Sequence, residues 1–134
     1  HRCSEQECRE IASTGLIDVA ACPENERVNL ILFCRAMECF LRGEDELVNT
    51  DMKLMVRQMP VTAQGLPVEF YFFLRDKEWV TYEHNMSTLL ARIMTLVPRF
   101  GLKLYQAPSG RDLLALNAAG EAESQHVSDV PSGR

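Results

Sequence analysis

Between residues 52 and 114 the spacing of apolar residues changes from two to three-or-four and back, which limits the chain to a mixed layer of strands and helix. Residues 52–59 alternate, with Leu54 and Val56 on one face and Met55, Arg57 and Met59 on the other. The connection 60–67 carries two prolines, Pro60 and Pro67, around a Gln64-Gly65 turn signal. Residues 68–74 are rich in β-branched and aromatic side chains, as strands prefer. Val68, Phe70, Phe72 and Leu74 share one face of that strand; Glu69, Tyr71 and Phe73 share the other. Asp76 is placed to cap a long helix whose stripe contains Trp79, Tyr82, Met86, Leu89, Leu90, Ile93, Met94 and Val97. Gly101 suits a left-handed stop, residues 102–106 read as a third strand, and Pro108-Ser109-Gly110 ends it.

Upstream, Ser4-Glu5-Gln6-Glu7 fits a capping box, which predicts a short helix to about Ala12. The Gly15 region and Cys22-Pro23-Glu24-Asn25 read as turns. Asn29 is an expected N-cap for a second helix, along which Leu30, Phe33, Cys34, Met37, Phe40 and Leu41 recur at helical steps until Gly43 stops it. The order from this helix onward is α-β-β-α-β. A ferredoxin-like sandwich is β-α-β-β-α-β, so the expected fold class is α+β, a ferredoxin-like two-layer sandwich lacking its first strand. Both long helices are expected on one sheet face, against Leu54, Val56, Phe70, Phe72, Leu102 and Leu104. Residues 1–27 form an N-terminal helix and linker in this reading, 28–116 the α+β domain, and 117–134 a tail. That tail (NAAGEAESQHVSDVPSGR) is small and polar, shows no periodicity and is expected to be disordered.

The net charge of −5 argues against a broad attraction to nucleic acid or anionic lipid. The aromatic run Phe70-Tyr71-Phe72-Phe73 raises an RNA-stacking alternative, because RNA-recognition domains share this layout. The basic, glycine-containing motif of those domains is absent, so no nucleic-acid partner is expected. No apolar run reaches the ~20 residues of a spanning helix.

The five cysteines, an odd number, form no dense disulfide framework and favour a reducing compartment. The Cys3-x4-Cys8 and Cys34-x4-Cys39 spacings suggest metal half-sites. Helical residues five apart point well away from one another, however, so Cys34 and Cys39 cannot share an ion. His84 has no convergent partner in sequence, and no phosphate loop or nucleophile elbow occurs. No cofactor, metal or catalytic residue is therefore assigned, and the chain is not expected to be an enzyme.

A set of ordered blocks supplies a more specific signal: Val56-Arg57-Gln58, Ala63-Gln64-Gly65-Leu66-Pro67, Trp79-x-x-Tyr82-Glu83, Phe100-Gly101-Leu102 and Tyr105-Gln106-x-Pro108-Ser109-Gly110. Together, across residues 29–114, they resemble the C-terminal cytoplasmic domain of small-conductance mechanosensitive (MscS-like) channels, in particular the mini-conductance subgroup. Asn85-Met86-Ser87, Leu90-Ala91-Arg92 and Arg99 depart from the acidic and histidine residues usual there. The resemblance implies a soluble appendage that helps seven subunits build a cage at the cytoplasmic face of the inner membrane, beneath a pore that opens under osmotic stress. The start at His1 instead of Met leads us to expect a fragment whose upstream part carries the membrane segments. The alternative is a free-standing ferredoxin-like module for binding or oligomerisation.

Within either reading the residues of the matching blocks have structural roles: Gly65 and Pro67 set a turn, Trp79 and Tyr82 anchor a helix start, and Gly101 caps its end. The remaining apolar side chains of the sheet, Met55, Met59, Tyr71, Phe73 and Tyr105, form a second face to which neither long helix is committed. We expect that face to be a subunit interface, or to be covered by an upstream domain or by residues 11–21.

Overall fold

Ser4 opens the first helix as its capping box requires. Its hydroxyl accepts the Glu7 amide at 3.2 Å, and its own amide donates to the Glu7 carboxylate at 2.7 Å. The computed structural model describes residues 1–106. Within it His1–Leu104 pack as one compact unit, and Tyr105 and Gln106 fall outside that unit. Helix α1 spans Glu5–Ala12, α2 Asn29–Gly43 and α3 Trp79–Leu96; strand β1 spans Met55–Gln58 and β2 Val68–Tyr71. Short 3-10 turns occupy Val19–Ala21, Glu24–Glu26 and Val97–Phe100. The architecture is α+β.

The residues before Val28 belong to the same core. An antiparallel bridge joins Arg2 to Val28, with the Cys3 amide donating to the Arg27 carbonyl at 2.9 Å. Ile11, Val19 and Cys22 are buried with the residues of α2. Asn29 is not the N-cap; Val28 takes that position without a side-chain bond, and Asn29 becomes the first helical residue. Its amide is instead a buried junction, only 4% exposed. Asn29 Oδ1 accepts from the His1 nitrogen (3.1 Å) and the Leu30 amide (2.9 Å), and Nδ2 donates to the Phe100 carbonyl (3.1 Å). One side chain thus ties the start of the chain to the end of α3, because a buried amide must find partners on all sides.

Helix α2 is the centre of the core. Leu32, Phe33, Cys34, Ala36, Met37 and Leu41 are buried, and Leu30 and Phe40 half-buried. Phe33 holds two edge-to-face aromatic contacts, with Phe70 on β2 at 6.3 Å and with Phe100 at 5.4 Å. Helix α2 lies against β1, where Val56 and, just before the strand, Leu54 are buried. The Glu38 carboxylate reaches across to accept the Val56 amide at 2.9 Å, capping the outer edge of β1.

The strands pair antiparallel, Met55 opposite Tyr71 and Gln58 opposite Val68, but both are shorter than the alternation suggests. Beyond Tyr71 the chain changes partner: Leu74 bridges Val48, the Asn49 amide donates to the Phe73 carbonyl and the Arg75 amide to the Leu47 carbonyl. The expected third strand over 102–106 is not formed; those residues carry no ladder, and Leu104 is 51% exposed.

Glu78, not Asp76, caps α3, accepting the Thr81 amide at 2.7 Å, while Asp76 accepts the Glu78 amide one step earlier. Leu89, Ile93 and Val97 are buried, with Tyr82 and Met86 half-buried against the core. Trp79, Leu90 and Met94 of the expected stripe stay in solvent. Gly101 adopts φ +68°, the left-handed conformation expected of it, and closes the 3-10 turn that extends α3.

Candidate functional site

The alternation of β1 and β2 sends Val56 and Phe70 toward α2 and the cross-strand pair Met55–Tyr71 to the opposite side. On that outer side the Tyr71 and Phe73 rings meet edge-to-face at 5.5 Å, almost perpendicular at 88°. The ammonium of Lys77 stands 5.6 Å from the centre of the Phe73 ring. Arg57 and Glu69, paired across the strands on this same side at 2.7 Å, border the apolar patch. Tyr71 is 42% exposed, and Met55, Met59 and Phe73 are half-buried. The arrangement is an aromatic and thioether patch with a charged rim, which is chemistry suited to contact with another surface.

The structure therefore brings together Met55, Tyr71 and Phe73. Met59 follows the end of β1, its amide donating to the Pro67 carbonyl at 2.8 Å. No third strand forms over 102–106, and Tyr105, 60% exposed, falls outside the compact unit. Gly65 and Pro67 sit in the exposed connection, where Thr62 and Gly65 exchange backbone bonds in a tight turn and Gly65 takes φ +130°. Trp79 does not anchor the start of α3: it is 75% exposed. The reason is position, since Trp79 begins the helix a full turn before Tyr82 first meets the core. Sequence reasoning missed Lys77, because a cation over an aromatic ring leaves no periodic trace. It also missed Glu38 and Asn29, whose roles depend on partners 18 and 71 residues away.

Among the described residues no group of three or more His, Cys, Asp or Glu side chains converges as a metal site. Cys34 is buried and Cys39 exposed on α2, consistent with the divergence of residues five apart. No helix among the described residues is long and apolar enough to cross a membrane. The tail assigned from sequence, 117–134, and the Pro108-Ser109-Gly110 stop before it lie outside the described residues. No protein-family model matches this chain, and no solved structure matches it significantly.

Proposed function

We propose that this chain is the C-terminal cytoplasmic domain of a mechanosensitive channel of the MscS-like family, in its mini-conductance subgroup. Its task there is to make subunit contacts and form part of a cage at the cytoplasmic face of the membrane, while an upstream region supplies the pore. The observation that carries this reading is the outer sheet patch of Met55, Tyr71 and Phe73, an apolar surface on the side of the sheet away from α2. Of the blocks that carry the family resemblance, 56–58 lie on β1, 63–67 in the hairpin turn, 79–83 at the start of α3, where Trp79 stays in solvent, and 100–102 at the left-handed stop after it.

The finer ferredoxin-like arrangement belongs to the same proposal. Its split β-α-β units place another strand between the two that a helix connects. A strand at 102–106 would then need an intervening strand beside β2 before it could join the sheet. Among the described residues the sheet ends at β2, so that edge is free to receive one. A free-standing ferredoxin-like module, whose free edge and outer patch bind some other protein, is the competing reading.

Two measurements test the proposal. The reading frame upstream of His1 is expected to encode several apolar spans and a small β-rich domain; an initiating Met within a few codons would defeat the channel reading. In the protein expressed with that upstream region, light scattering is expected to report a closed oligomer, seven subunits by the resemblance. Tyr71→Asp combined with Phe73→Asp is expected to lower the assembled mass while far-ultraviolet circular dichroism stays unchanged. An assembly indifferent to both substitutions would remove the outer patch from the interface.

A further inference from the structure

Cys3 immediately precedes the N-cap Ser4, and Cys8 is the fourth residue of α1. These are the two positions of a hydrophobic staple, whose side chains meet across the first turn when a capping box forms. The five-residue separation that would drive two helical cysteines apart does not apply here, because Cys3 lies outside the helix. Both thiols are half-buried, and both line one open surface cavity of about 330 Å³, with Arg2, Arg9 and Arg27 among its walls. Burial, together with the neighbouring Cys8 thiol and the Glu7 carboxylate, pushes the Cys3 thiol pKa up. The other cysteines stand apart from this cavity: Cys22 and Cys34 are buried in the core and Cys39 is exposed on α2.

We propose that Cys3 and Cys8 form a redox-active pair that accepts a disulfide from a low-molecular-weight disulfide compound such as oxidised glutathione. The Cys8 thiolate attacks one sulfur of the compound, forming a mixed disulfide and releasing one thiol. Cys3, after losing its proton to solvent, attacks the Cys8 sulfur, closing the Cys3–Cys8 bond and releasing the second thiol. Two protein thiols are oxidised and one disulfide is reduced to two thiols, so protons and electrons balance. The bond would lock the first turn of α1 to the strip that bridges Arg2 to Val28, and thus the start of the chain to α2. The pair is reversible because the open cavity leaves it within reach of reducing thiols.

The test is incubation of the folded full chain with oxidised glutathione, alkylation of remaining thiols and tryptic mapping. Cleavage after Arg2 and Arg9 leaves both cysteines in the single peptide 3–9, CSEQECR. That peptide is expected to emerge unalkylated and lighter by two hydrogens, and to recover two alkyl groups after reduction. Cys3→Ser is expected to stop at the mixed disulfide, with one glutathione retained on Cys8. A peptide 3–9 alkylated twice after treatment, or a wild-type chain that retains glutathione on Cys8 without closing, would overturn the proposal. So would a bond from either residue to Cys22, Cys34 or Cys39 in place of the internal one.

Discussion

Replacing Asn29 by Ala removes all three side-chain bonds at the junction between the chain start, α2 and the end of α3. The Phe100 carbonyl then loses its donor in a residue only 2% exposed, and an unpaired buried acceptor costs about 1–3 kcal/mol. The Leu30 amide and the His1 nitrogen lie nearer the surface, where water can replace the lost acceptor, so together they add about 1 kcal/mol. Alanine's better helix propensity returns about 0.5 kcal/mol. The expected net loss is about 2–3 kcal/mol, a large share of the ~5–15 kcal/mol that holds a typical domain. Urea denaturation should show the midpoint falling by on the order of 1 M with the slope unchanged.

A loss below about 0.5 kcal/mol for Ala, the size of an ordinary surface change, would refute the junction.

Phe33→Ala should cost about 3–5 kcal/mol and flatten the near-ultraviolet circular dichroism, since it empties the site between Phe70 and Phe100; a loss under 1 kcal/mol would mean the core closes without it. The Thr81 amide holds the exposed Glu78 carboxyl below its ordinary value of 4.5. The cap is thus fully formed above that value and fades as pH falls toward the lower folded one. Protection of the Thr81 amide, its exchange rate relative to the intrinsic rate at each pH, should fall over that acid range in the wild type and show no such step in Glu78→Ala; the same profile in both would dismiss the cap. Trp79 is the one tryptophan of the chain and is 75% exposed, so its fluorescence in the isolated chain should be water-like and readily quenched by acrylamide. Shielded emission at high dilution would contradict the position of the α3 start.

The capping box, the stripe of α2, the strand pair and the left-handed Gly101 were all legible in the sequence because each is fixed by residues a few positions apart. The errors share a different cause. Asp76 and Asn29 are both good N-cap residues, and propensity could not reveal that Glu78 reaches the Thr81 amide or that the Asn29 amide is needed by Phe100. The alternation of 68–74 correctly separates the outer Tyr71 and Phe73 from the inner Phe70, but it cannot show the change of partner by which Leu74 pairs with Val48. The helical argument against cysteines five apart holds for Cys34 and Cys39. It fails to describe Cys3 and Cys8, since the helix begins between them.

Helix α3 shows why a periodic stripe is a statement about neighbours as well as about a helix. At about 100° per residue, Tyr82, Met86, Leu89 and Ile93 occupy a band about 60° wide, and this band meets the core. Leu90 and Met94 lie beyond its edge and are 43% and 54% exposed, yet they continue the same three-and-four spacing. A helix with one neighbour absorbs only the narrow band; the wider stripe is the pattern of a helix with two. The sheet shows the same surplus, with Val56 and Phe70 taken up by α2 and Met55, Tyr71 and Phe73 left on the outer side. Helix α2, packed against β1 and the 3-10 turn that follows α3, has little surplus of its own: Leu30 and Phe40 are half-buried and every other apolar residue that sequence assigned to its stripe is buried. Single apolar side chains are also exposed elsewhere, Met52, Val61 and Leu66 among them. On the sheet's outer face, by contrast, Met55, Tyr71 and Phe73 are contiguous, and a contiguous face is what the assembly proposed above requires, because a partner can cover such a face but not scattered residues.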